Sequence, residues 1–141
     1  MDIRFVLLPL FVEVILTFVL LYSLAPMRQG AFRRGQVREA DIAMGQKAWP
    51  PRAQQFANAF DNQFQLPVLF YVLTILSIIT RHADIIFLAL AWIFVLARIA
   101  HAFVHVTSNR VMVRGTIYGV GATVLLIMWI IFMVRVLAGL P

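Results

Sequence analysis

Apolar residues fall in four long blocks along this chain, at about residues 5–26, 55–80, 84–107 and 114–138, with polar stretches between them. Each block exceeds the roughly 20 helical residues needed to cross about 30 Å of hydrocarbon. Lipid offers no partner to an exposed backbone amide, so such segments must satisfy their amides internally, as helices. The pattern predicts an all-α fold, an integral membrane four-helix bundle forming one domain over residues 1–141. The first block is too long for the apolar core of a signal peptide, carries Glu13 and lacks a small-x-small cleavage site. It is therefore expected to remain as a span.

Polar residues interrupt these blocks at helical spacing. Gln54, Asn58, Asp61, Asn62 and Gln65 recur three or four apart at the start of the second block and occupy an arc of about 100°. Phe56, Ala57, Phe60 and Phe64 take the opposite side. A stripe this polar is expected to face other helices or a water-filled cleft rather than lipid. Pro67 is expected to bend the helix, because it removes one amide from the ladder. In the third block Arg98, His101, His105 and Asn109 lie within about 80° of one another. Arg98 would sit roughly 15 Å from the nearer membrane surface. An arginine at that depth needs a carboxylate or backbone carbonyls. Asp61, at similar depth on the second helix, is its expected partner, while no partner for Glu13 can be assigned from the pattern.

Composition agrees with a membrane protein. Hydrophobic residues make up 62% of the chain, against roughly 45–50% in soluble domains. The chain has no cysteine, so any thiol chemistry must use a thiol brought by a substrate. The net charge of +6 sits mainly beside the apolar blocks: Arg28, Arg33, Arg34, Arg38, Lys47 and Arg52 in the long first connection, Arg110 and Arg114 at the third. The second connection has only Arg81. This asymmetry is a topology signal, not a nucleic-acid footprint. It places the first and third loops in the cytoplasm and both termini outside. His101 and His105 are four apart, but HAFVH lacks the glutamate of a zinc-protease helix and the chain has three histidines in all. No metal site is expected.

The densest polar constellation is RIAHAFVHVTSNRVMVRGTIY, residues 98–118. Arg110, Arg114 and Tyr118 follow one another at four-residue spacing, so that Tyr118 shares a face with Arg114. Such a pair of arginines binds carboxylates or favours a thiolate. This stretch resembles the superfamily of membrane-associated proteins in eicosanoid and glutathione metabolism, which includes microsomal glutathione transferases and membrane prostaglandin E synthase. The family pattern there is Arg, His at plus three, an aromatic at plus seven, Arg at plus twelve and plus sixteen, and Tyr at plus twenty. Arg98, His101, Arg110, Arg114 and Tyr118 fit it, and His105 stands at the aromatic position. The second-helix motif of the family, Arg, then Asn, a Glu three on and Pro soon after, matches less closely, with Arg52 farther off, Pro67 late and two registers between them: Asn58 with Asp61, or Asn62 with Gln65 in place of the acid.

The resemblance implies a homotrimer that binds glutathione as co-substrate between subunits near the cytoplasmic face. Arg114 would stabilise the thiolate. Arg110, Tyr118, His101 and His105 would line the site, with Asn58 and Asp61, or Asn62 and Gln65, contributing from helix two. The second substrate would be a lipophilic electrophile or peroxide partitioning from the bilayer. A non-catalytic relative that binds lipid or joins a larger membrane complex is the alternative.

Overall fold

The computed structural model describes residues 1–141 and contains helices and no strand. Helix α1 spans Ile3–Arg33, a short α2 spans Glu39–Ile42, α3 and α4 span Pro51–Asn62 and Leu66–Ile79, α5 spans Ile85–Val106 and α6 spans Val111–Leu137. Four apolar spans result, α3 and α4 together forming the second. Only 27 of the 141 residues are buried, and many large apolar side chains face outward, as the lipid-exposed surface of a membrane bundle requires.

The spans run up and down. The Arg52 guanidinium donates to the Val106 carbonyl, tying the start of α3 to the end of α5. At the opposite end His82, in the α4–α5 turn, bonds the Leu140 carbonyl at 2.9 Å. Arg135 of α6 meets Asp84 at 2.6 Å there. The main core joins α1, α4, α5 and α6 through Val6, Phe70, Leu73, Phe94, Leu125 and Met128, with Phe70 stacked on Phe94 at 4.9 Å between ring centroids. A second cluster, Leu20, Ala59 and Ala102, packs α1, α3 and α5. Its small residues let the helices approach closely.

Three boundaries differ from those read off hydropathy. Helix α1 runs seven residues beyond the apolar block, to Arg33, because the residues after Pro26 are mostly good helix formers and polarity alone does not stop a helix. It ends at Gly35, whose φ of 67° closes the turn. Helix α3 begins at Pro51, whose missing amide suits a first helical position. Helix α6 begins at Val111, just after Asn109 turns the chain with φ 51°.

The second span is broken outright. The amides of Gln63, Phe64 and Gln65 bond carbonyls three residues back, at 3.0, 3.1 and 3.3 Å. Regular helix resumes at Leu66 with Pro67 in its first turn. Proline has no amide for the Gln63 carbonyl and its ring crowds that oxygen, so the ladder fails in the turn before it.

Candidate functional site

The polar residues around the break go to three places. Gln63, 1% exposed, turns into the interior. Asn62 and Gln65 turn towards α5 and α6, and Asp61 turns outward. A continuous helix would put residue 63 opposite the polar stripe, which is why the sequence pattern missed it.

Arg98 fills the space beside the break. Its Nη2 donates to the Asn62 side-chain oxygen and to the Asn62 backbone carbonyl at 3.3 Å. The guanidinium thus serves the C-terminal end of α3, where carbonyls lose their helical partners and a positive charge is favoured. Its counter-ion is Glu13 of α1, with Nε and Oε1 3.9 Å apart and side chains 1% and 0% exposed. The expected pairing with Asp61 is incorrect: Asp61 is exposed and lines a separate cleft of about 340 Å³ with Arg28, Lys47, Trp49 and Gln54. The reason is the packing face of α3: Ala53, Ala57 and Ala59 turn inward, and Asp61 lies off that face, exposed. A lone acid in one apolar span and a lone base in another was the available signal for the true pair.

The α5 face meets α6 through aromatic contacts. Tyr118 stands 5.5 Å from His101 between ring centroids, and His101 stands 5.5 Å from His105. Arg98 lies 5.9 Å from the Tyr118 ring centre. The Tyr118 hydroxyl donates to Gln65 Oε1 at 3.3 Å, and the Asn62 amide donates to the same oxygen at 3.0 Å. Arg114, half-buried, donates to the Asn109 side-chain oxygen, which holds the guanidinium over the end of α5. The Nδ1 atoms of both His101 and His105 are buried without a partner in the chain.

Asn62, Gln65, Arg98, His101, His105 and Tyr118 therefore form one polar cluster, with Arg114 at the α5–α6 turn. Of the two helix-two registers, this cluster uses Asn62 and Gln65. Asn58 accepts instead from Gln54 at 2.7 Å. Arg110, the residue before α6, is exposed and makes no side-chain hydrogen bond. Beside the cluster runs an apolar groove of about 430 Å³ lined by Leu66, Leu69, Ala122, Leu125, Leu126 and Trp129. Leu66 adjoins Gln65, and Ala122 is one turn from Tyr118.

A four-span bundle with a cationic, histidine-bearing cluster next to an apolar groove defines an integral, multi-pass membrane protein. The sequence model of the MAPEG family matches residues 6–134. The chain belongs to this family of membrane proteins in eicosanoid and glutathione metabolism. Neither the curated proteins nor the solved structures contain a match to it.

Proposed function

We propose that the protein is a glutathione-dependent transferase or peroxidase acting on lipophilic electrophiles, working as a homotrimer with its first and third loops in the cytoplasm. The observation that carries this reading is the half-buried Arg114 in a polar cluster with Tyr118, His101 and His105, beside an apolar groove, in a chain that has no thiol of its own. A thiol with an ordinary pKa of about 8.5 is only a few per cent ionised at neutral pH, and a guanidinium nearby favours the anion. Arg114 holds the thiolate, whose proton has gone to solvent. In conjugation the sulfur lone pair forms the new bond to carbon, and the leaving group departs with its bonding pair.

The remaining residues bind. The buried Nδ1 atoms of His101 and His105 offer contacts to the peptide, and Gln65 offers its amide. Arg110, Asn58 and Asp61 lie outside the cluster of one chain, and they reach ligand from a neighbouring subunit in the trimer. The groove from Leu66 to Trp129 takes the lipophilic partner. One observation favours a second reading, a non-catalytic subunit that binds lipid or a larger complex: Gln65, where the family motif has an acid, is neutral, and its oxygen is already taken by Asn62 and Tyr118.

Difference absorbance separates the two. Glutathione added to the purified protein is expected to give a thiolate band at about 240 nm. Arg114→Leu removes that band and slows conjugation of an aryl halide, whereas His105→Phe changes it less. The absence of both the band and saturable glutathione binding in the wild-type protein refutes the enzyme reading.

A further inference from the structure

Glu13 lies on α1, away from the residues that line the cluster, yet it is among the most completely enclosed side chains in the molecule. Its chemistry becomes clear when each hydrogen bond is followed from Arg98. A guanidinium has donors only, so every acceptor it meets has its orientation decided. The Asn62 atom facing Arg98 is therefore the amide oxygen. The Asn62 nitrogen then points to Gln65, at 3.0 Å, and the Gln65 atom it meets is an oxygen. That oxygen cannot donate, so the Tyr118 hydroxyl 3.3 Å away must turn its proton towards it. On the other side of Arg98 the same rule orients Gln63, with its oxygen 3.2 Å from Arg98 Nη2 and its nitrogen 2.6 Å from Glu13 Oε1.

We propose that Glu13 is a positioning residue: by holding Arg98 through charge and through Gln63, it fixes the direction of a hydrogen-bond chain that commits the Tyr118 proton to Gln65 and leaves the Tyr118 oxygen to present lone pairs. Tyr118 accepts an N–H or an ammonium from a ligand and does not donate to a thiolate. Thiolate stabilisation is then left to Arg114. Glu13 is required because a buried guanidinium without a counter-ion does not stay in place; it moves towards water or carbonyls elsewhere. Asn62, Gln65 and Tyr118 would lose the donor that sets their order. That Tyr118 meets glutathione rests on the proposed function; the direction of the chain does not.

The ultraviolet Raman doublet of tyrosine reports whether a phenol donates or accepts, and subtracting the spectrum of the Tyr118→Phe counterpart isolates Tyr118 from Tyr22 and Tyr71. Ligand-free wild-type protein is expected to show a donating phenol. Glu13→Gln shifts the doublet towards the accepting ratio, and Glu13→Asp, which keeps the charge, retains the donor signature. Should Glu13→Gln not yield folded protein, Gln63→Met keeps both charges, removes the amide bridge, and is expected to shift the doublet in the same direction. A wild-type phenol that does not donate overturns the proposal, as does a doublet unchanged in the folded variant. Calorimetry with glutathione on the same samples keeps the two readings apart. Wild-type protein that binds no glutathione but shows the donor signature leaves the network standing and removes only its ligand.

Discussion

Replacing Glu13 by leucine leaves the Arg98 guanidinium enclosed by protein and without a counter-ion. Both side chains are at most 1% exposed, and arginine does not escape the penalty by losing its proton. Breaking a buried pair from one side costs about 3–5 kcal/mol, or roughly a 150- to 5,000-fold drop in the folding constant. At about 3 °C per kcal/mol for a chain of this length, the melting temperature in detergent should fall by roughly 10–15 °C. Asp61→Leu is the matched control, also an acid in the second span, but exposed and without an ion pair. It should stay within about 0.5 kcal/mol of wild type. The double variant Glu13→Leu/Arg98→Leu removes both charges and should recover much of the loss, since apolar replacement of a whole buried pair is often near neutral. Thermal unfolding followed by tryptophan fluorescence reads all three. Equal melting temperatures for Glu13→Leu and Asp61→Leu, or a double variant that melts below Glu13→Leu, refute the pairing.

Asp84 is not a neutral loop residue: it caps α5 through the Phe87 amide at 2.9 Å and pairs with Arg135, so Asp84→Ala should cost about 1–2 kcal/mol in the same melting assay. Partial burial pushes its carboxyl up, but the Phe87 amide and Arg135 outweigh that and hold it below the usual range. The cap therefore stabilises above about pH 4 and is lost as pH falls through the lowered value, so wild-type and Asp84→Ala melting curves should converge in acid; a constant gap refutes this. Arg81 occupies a left-handed turn position with φ 61°, where glycine carries no side-chain penalty, and Arg81→Gly should melt about 2 °C higher; a lower melting temperature counts against the turn as described. In a chain with no cysteine, an impermeant external thiol reagent on intact cells should label Ala83→Cys and spare Gln36→Cys, and the reverse pattern inverts the orientation. Native mass spectrometry should show three copies of the 16.0 kDa chain, and a clean monomer removes the neighbouring half of the proposed site.

Much of the architecture was legible because apolar block length is a direct consequence of bilayer thickness. The α5 face was equally legible, since Arg98, His101 and His105 lie on a helix that stays regular from Ile85 to Val106 and keeps its 3.6-residue period. Helix two was harder for a physical reason. Periodicity assumes an unbroken ladder, and Pro67 was read as a bend when its effect is to end one helix and start another. Gln63 and Asp61 differ for another reason: the face of α3 that packs inward carries Ala53, Ala57 and Ala59 and continues to Gln63, opposite the stripe expected to face inward, while Asp61 on that stripe is exposed. The partner of Arg98 was hidden because pairing across spans depends on which helices touch, and hydropathy says nothing of that.

The broken span also bears on how the protein is made. Helix α4 has 14 residues, about 21 Å of helix, against roughly 30 Å of hydrocarbon. It cannot cross alone, and the residues just before it that complete the crossing include Asp61, Asn62, Gln63 and Gln65. During synthesis this segment leaves the ribosome after Glu13 but before Arg98. Until α5 is made, Asn62 has no Arg98 to meet and the polar end of the span lacks its partner. The contact that closes the break, Arg98 on Asn62, can form only once the third span has been synthesised. A nascent chain cut before residue 98 would carry an incompletely seated second span, open to membrane quality control.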